Sequence, residues 1–126
     1  MGWTMSHILI VDDSIVIRKV LCRIFDGLNF KAHQADTREH AFDICTKYAP
    51  DIIIIDWLIP SDGAVSLVRA LRKLPQCAHT RFFVCSALFT SEDMRKIKEA
   101  DIEDIVLKPF DRHHIWEKFA SMRPAA

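Results

Sequence analysis

A chain of 126 residues has room for one ordinary domain, since domains commonly run to about 100–150 residues. Half of its residues are apolar and its 17 basic groups balance 17 acidic ones; a core can form without staples, and the basic patch typical of nucleic-acid binders is not expected. No stretch approaches the roughly 20 apolar residues that span a bilayer, and Met1 to Met5 lack the basic-then-apolar order of a secretory signal, which points to the cytosol.

In chain order, the apolar pattern alternates between short strand-like runs and helical spacing. His7-Ile8-Leu9-Ile10-Val11 is a β-rich run that ends in Asp12-Asp13. Ile17, Val20, Leu21, Ile24, Phe25 and Leu28 then recur every three or four residues, one face of a helix. Phe30 to Ala35 reads as a second strand, and Asp36 with Glu39 as a capping box opening a helix that runs to about Tyr48. Asp51 to Asp56 is apolar on both faces, as a central parallel strand covered by helices must be. Helical spacing returns after Gly63 at Ala64, Val65, Leu67, Val68 and Leu71. Arg81 to Cys85 predicts a fourth strand, and Thr90 or Ser91 caps a charged helix ending near Ala100. Glu103 to Leu107 predicts the fifth strand; Asp111 caps a last helix with Ile115, Phe119 and Met122 facing inward. Five β-α units with short connections imply one α/β domain over residues 1–126, core about 6–122, built on a doubly wound parallel sheet.

Two residue types invite chemistry that their spacing does not support. Cys22, Cys45, Cys77 and Cys85 form no C-x-x-C pair. The first, second and fourth fall within apolar periodicity and read as small core residues. His113 and His114 are neighbours on a helix, so their side chains diverge by about 100° and do not share a metal easily.

The reactive side chains collect at strand ends. Asp12 and Asp13 close strand one, Asp56 closes strand three, Ser86 follows strand four and Lys108 follows strand five. Open parallel sheets bind ligands beyond the carboxyl ends of their strands, where strand order reverses. An order of 2-1-3-4-5 brings all five to one cleft. Three carboxylates there repel one another, whereas a divalent cation plus the Lys108 ammonium brings their summed charge to zero. Oxygen ligands with open positions suit Mg²⁺. Capping the first helix needs one acid, not a pair. Asp56 is then a carboxylate nucleophile for a phosphoryl group, with Lys108 and the Ser86 hydroxyl at the phosphoryl oxygens.

Ile8-Leu9-Ile10-Val11-Asp12-Asp13-Ser14, Asp56-Trp57-Leu58-Ile59-Pro60, Cys85-Ser86-Ala87 and Leu107-Lys108-Pro109-Phe110 together resemble the receiver domain of bacterial two-component response regulators, over essentially the whole chain. The resemblance implies a flavodoxin-like receiver fold and phosphorylation of Asp56 by a histidine kinase or histidine phosphotransfer protein. It further implies Mg²⁺ held by Asp12, Asp13, Asp56 and the backbone carbonyl of Leu58, and a cis peptide before Pro109. In the family the hydroxyl at Ser86 moves toward the phosphoryl group while an aromatic on strand five turns inward. The expected role is a phosphoacceptor that signals to a downstream protein, not an enzyme acting on other molecules.

The chain departs from that pattern in several places. Ile105 stands where the switching aromatic usually sits, so output is expected to run otherwise, through the loop of Leu88 and Phe89. Gly63 comes one residue early, and Asp101-Ile102 replaces the usual Gly-Ala before strand five, which predicts altered boundaries for helices three and four. Leu58 and Leu88 flank the hydrolytic water's path in the family; apolar side chains neither orient nor activate water, so a long-lived acyl phosphate is expected. Trp116 on the last helix suits either a partner surface or the edge of the core, Trp3 equally so, and Trp57 is a natural fluorescence reporter.

Competing chemistries fit less well. A haloacid-dehalogenase-like phosphatase needs a second Asp two places after the nucleophile, where Leu58 stands, and a dinucleotide fold needs G-x-G-x-x-G, which three glycines do not form here. The substantial alternative is a phosphorylation-independent interaction module on the same fold. With Arg123 to Ala126 closing the sequence a few residues past the last helix, protein contact is the expected output, with neither nucleic acid nor membrane as partner.

Overall fold

The computed structural model describes residues 6–60 and 63–122. Trp3, the turn at 61–62 and the segment 123–126 lie outside the described residues. Five strands form the sheet: β1 (Ser6–Val11), β2 (Phe30–Ala35), β3 (Ile52–Asp56), β4 (Arg81–Ser86) and β5 (Asp104–Leu107). Five helices connect or follow them: α1 (Ile15–Gly27), α2 (Arg38–Tyr48), α3 (Gly63–Arg72), α4 (Ser91–Glu99) and α5 (Arg112–Phe119). All pairings are parallel and the order is β2-β1-β3-β4-β5.

Every residue of β3 is buried, as its unbroken isoleucine run requires of the middle strand. Leu9, Val11, Ile53, Ile55 and Val84 point to one face, where they meet Ala41, Leu67, Val68 and Ile97 of α2, α3 and α4. Ile8, Ile10, Ile52, Ile54 and Phe83 point to the other, against Leu21, Phe25, Ile115 and Phe119 of α1 and α5. Phe119 is fully buried and sits edge-on to both Phe25 and Phe83, locking the last helix to the sheet. Met122 packs on the same core from the 3-10 turn Ala120–Met122 rather than from α5 itself.

Local chemistry sets the boundaries, and in two places differently from the sequence reading. Thr37, not Asp36, caps α2: its hydroxyl accepts from the His40 N–H while its own backbone is extended. Asp36 instead faces the His40 imidazole at 3.4 Å. At the end of α4, Asp101 takes φ +58°, the left-handed conformation a glycine adopts without steric cost. The Arg72 guanidinium donates to the carbonyls of Ala100 and Asp101, and Ile102 is buried beyond them. The helix therefore stops where it would with glycine, on a strained residue held by an arginine. Thr90 caps α4 in a full capping box with Asp93, and Asp111 caps α5.

The candidate phosphoacceptor site

β1 and β3 are neighbours and strand order reverses there, α1 leaving on one face and α3 on the other. Register pairs Val11 with Ile55, so the next residues, Asp12 and Asp56, stand side by side at the sheet's carboxyl edge. Both are buried, Asp12 to 1 % exposure and Asp56 to 8 %. The Ser14 N–H donates to Asp12 at 2.9 Å, while the Ser14 hydroxyl caps α1 by accepting from Ile17. Lys108, one residue past β5, reaches back across the edge. Its Nζ is 3.4 Å from Asp12 Oδ2 and 3.5 Å from Asp56 Oδ1, and the Lys108–Pro109 peptide is cis.

Charge and burial pull these groups in opposite directions. Burial pushes the Asp12 carboxyl above its ordinary range and the Asp56 charge adds to that, against the Ser14 N–H and Lys108. Burial disfavours the Lys108 ammonium, yet Cys85, Asp12 and Asp56 together outweigh it and hold that pKa above the usual lysine value. One ammonium thus leaves the two buried carboxylates under-compensated. Oxygen donors so arranged suit Mg²⁺.

Ser86 closes β4 rather than following it; it is buried, and its carbonyl accepts from the Lys108 N–H at 2.9 Å. Leu58 lies in the turn after β3, where Ile59 N–H returns to the Asp56 carbonyl at 3.1 Å. Its side chain is 75 % exposed, and that of Leu88, in the loop after β4, 74 %. Asp13 follows Asp12 at the same edge and is exposed. Asp12, Asp13, Asp56, Ser86 and Lys108 therefore come to one end of the sheet.

Sequence reading missed two features of this edge. Cys85, taken as a core residue, pairs in register with Asp56, and its sulfur, Asp12 and Asp56 present ligand atoms all within 4.8 Å of one another. Burial pushes its thiol up to about 12. Its position one place before Ser86 was the available signal, but the apolar run around it pointed only to packing. The second is Trp57, whose ring lies 6.0 Å from that of Phe89 and whose indole, beside Asp93, helps hold that carboxyl's pKa down. Elsewhere, Cys45 and Cys77, far apart in the chain, are buried in the same core cluster, and the contact between their thiols holds that of Cys77 below its ordinary value.

An α/β sheet with an acid pair, a lysine and a hydroxyl at its switch point defines a phosphoryl-handling domain of the doubly wound class. The sequence profile of the "Response regulator receiver domain" matches residues 8–120; the chain belongs to that family. It is 29 % identical over 106 residues to sporulation initiation phosphotransferase F of Bacillus subtilis, covering 84 % of each chain. It is 24 % identical to the phosphate regulon transcriptional regulatory protein PhoB of Escherichia coli, over 82 % of this chain but 45 % of that protein; the chain spans about half the length of such relatives. The chemotaxis protein CheY4 of Vibrio cholerae superposes with a TM-score of 0.87 at 23 % identity, covering 94 % of this chain and 98 % of that one. Receiver domains act in two-component phosphorelays, meeting histidine kinases or phosphotransfer proteins and downstream targets, and generally hold Mg²⁺ at their acidic pocket. Among the described residues, no helix is long and apolar enough to cross a membrane.

Proposed function

We propose that Asp56 accepts a phosphoryl group from the phosphohistidine of a histidine kinase or phosphotransfer protein, and that the chain then signals by protein contact in the cytoplasm without turning over another substrate. The observation that carries this reading is Lys108 Nζ lying 3.4–3.5 Å from both buried carboxylates, an ammonium poised beside the nucleophile. In the transfer, the donor's N–P bond breaks as a bond forms between phosphorus and an Asp56 carboxylate oxygen. The freed imidazole stays on the donor.

Asp12, Asp13, Asp56 and the Leu58 carbonyl would hold Mg²⁺, which when bound offsets negative charge on the phosphoryl oxygens. Lys108 supplies a fixed positive charge to the same oxygens, and the Ser86 hydroxyl a donor. Burial of Asp12 and Asp56 limits competing water. The exposed side chains of Leu58 and Leu88 offer that water no polar handle, which supports a slow return to the unphosphorylated form. For output, Trp57 supports a path other than the strand-five aromatic: it adjoins Asp56 and touches Phe89 of the β4–α4 loop and Asp93 of the α4 cap.

The deciding experiment is incubation with acetyl phosphate and Mg²⁺ followed by intact mass. A gain of one phosphoryl group, lost in Asp56→Ala, is the expected result. No gain in the wild type would move the protein to the phosphorylation-independent interaction module, a reading that Ile105 favours.

A further inference from the structure

Asp12, Asp56 and Cys85 form a row across three adjacent strands. Asp56 pairs with Cys85 on β4, and Asp12 follows Val11, the partner of Ile55 on β3. Pleating turns all three side chains to the α1–α5 side, where Cys85 lies with Ile54 and Phe83. Cys85 is 1 % exposed, and its thiol makes no hydrogen bond to a described residue. The sulfur has the two carboxylates and Lys108 as charged neighbours.

Magnesium makes no use of sulfur, but softer cations do. We propose that Asp12, Asp56 and Cys85 form an oxygen–oxygen–sulfur site for a thiophilic divalent cation of the zinc or cadmium class, and that this cation shuts Asp56 off from phosphoryl transfer. The second half rests on the reading of Asp56 as phosphoacceptor; the first does not.

Geometry and charge both suit such an ion. Zinc bonds sulfur at about 2.3 Å and carboxylate oxygen at about 2.1 Å, so two ligand atoms on one tetrahedral ion stand about 3.4–3.6 Å apart. The three donor atoms lie within 4.8 Å of one another, so side-chain rotations that move them by about 1 Å bring them onto one ion. As the metal–sulfur bond forms, the thiol proton leaves to solvent. Two carboxylates and a thiolate then balance the dication and the Lys108 ammonium. Three protein ligands leave a fourth position for water, as in open zinc sites. Both Asp56 and the Mg²⁺ position are then occupied, so zinc competes with Mg²⁺ and removes the nucleophile together.

The test compares wild type with Cys85→Val, an apolar replacement suited to a buried strand. Metal-free protein is titrated with cadmium, reading the ultraviolet sulfur-to-cadmium charge-transfer band; the thiols of Cys22, Cys45 and Cys77 are common to both proteins and cancel in the difference. The wild type is expected to show an extra saturable band that Cys85→Val lacks. Asp12→Asn, which keeps the sulfur, is expected to bind that cadmium at least tenfold more weakly. In parallel, zinc is titrated into the acetyl phosphate and Mg²⁺ reaction, each protein's own zinc-free rate serving as reference. Half-inhibition of the wild type is expected at least tenfold below that of Cys85→Val. Equal bands in wild type and Cys85→Val, an Asp12→Asn titration that matches wild type, or equal zinc sensitivity would each overturn the proposal. Should the wild type take no phosphoryl group even without zinc, the phosphoacceptor reading fails, while the cadmium difference still decides the site.

Discussion

Replacing Asp12 with Asn should make the metal-free protein more stable, and the terms can be set against one another. At an effective dielectric of about 20, Lys108 at 3.4 Å attracts the Asp12 carboxylate by about 4.9 kcal/mol, and Asp56 at up to 4.8 Å repels it by about 3.5 kcal/mol. The net attraction is about 1.4 kcal/mol, to which the Ser14 N–H adds roughly 2 kcal/mol as a bond to a charged group. Against these stands burial of a carboxylate at 1 % exposure, which costs several kcal/mol. The raised pKa of Asp12 says that burial and repulsion win. Asn keeps the acceptor for Ser14 and sheds the charge. We expect a gain of about 1 kcal/mol at pH 7, or about 3–5 °C in Tm for a chain of this size, measured by circular dichroism in a chelator. The folded carboxyl titrates above 3.8, the ordinary value, so the stability it contributes is full below 3.8 and is lost as pH rises through the folded pKa. The advantage of Asn must therefore be largest at neutral pH and vanish on acidification. Mg²⁺ should reverse the ranking, stabilising wild type by RT ln(1 + [Mg²⁺]/Kd) and the variant less. A variant that is less stable than wild type in chelator at pH 7, or an advantage that grows toward acid, would refute the reasoning.

Other consequences can be checked with single substitutions. Leu58→Asn places a polar group beside the acyl phosphate and should speed its decay several-fold, followed by loss of phosphoprotein mass with time; equal rates would remove the apolar-flank explanation. Asp101→Gly relieves the left-handed backbone at φ +58° and should stabilise by about 0.5–1 kcal/mol in urea denaturation; no gain would mean that the backbone there is not strained. Phe89→Ala removes the ring 6.0 Å from Trp57; the change in Trp57 fluorescence on adding a phosphoryl mimic with Mg²⁺ should fall by half or more, and an undiminished change would sever Trp57 from the loop.

The fold was legible because its signals are collective. An isoleucine run at Ile52 to Ile55 fits only a strand covered on both faces, and three- and four-residue spacing from Ile17 to Leu28 fits only a helix facing a core. Single caps were less legible. Asp36 and Thr37 are adjacent residues that can both cap, and only the three-dimensional geometry, Thr37 extended with its hydroxyl accepting from the His40 N–H, settles which begins the helix. The site was legible to the extent that strand ends are: Asp12, Asp56, Ser86 and Lys108 could be placed at one edge from position alone. Cys85 could not, because a thiol within an apolar run carries the same pattern as valine. Its meaning comes from register, which no one-dimensional spacing records. Cys45 and Cys77 escaped for the same reason, α2 and the 3-10 turn Pro75–Cys77 being brought together by the fold across some thirty residues of sequence.

The aliphatic Ile105 is consistent with the way this edge is wired. A switching aromatic is useful where a ring can move between a buried and an exposed seat. Ile105 is partly buried against the α2–α4 side of the core and lines an open groove of about 460 Å³ with Leu107, Pro109 and Ile115, so that space is not filled by a ring. The large rings near Asp56 are instead Trp57 and Phe89. At the start of α4 the Asp93 carboxylate accepts from the Thr90 N–H at 2.9 Å and has the Trp57 indole beside it, which helps hold its pKa down. α4 has few apolar anchors, Ile97 being its one buried residue. Trp57 thus joins the strand end that carries Asp56 to the loop that leads into α4.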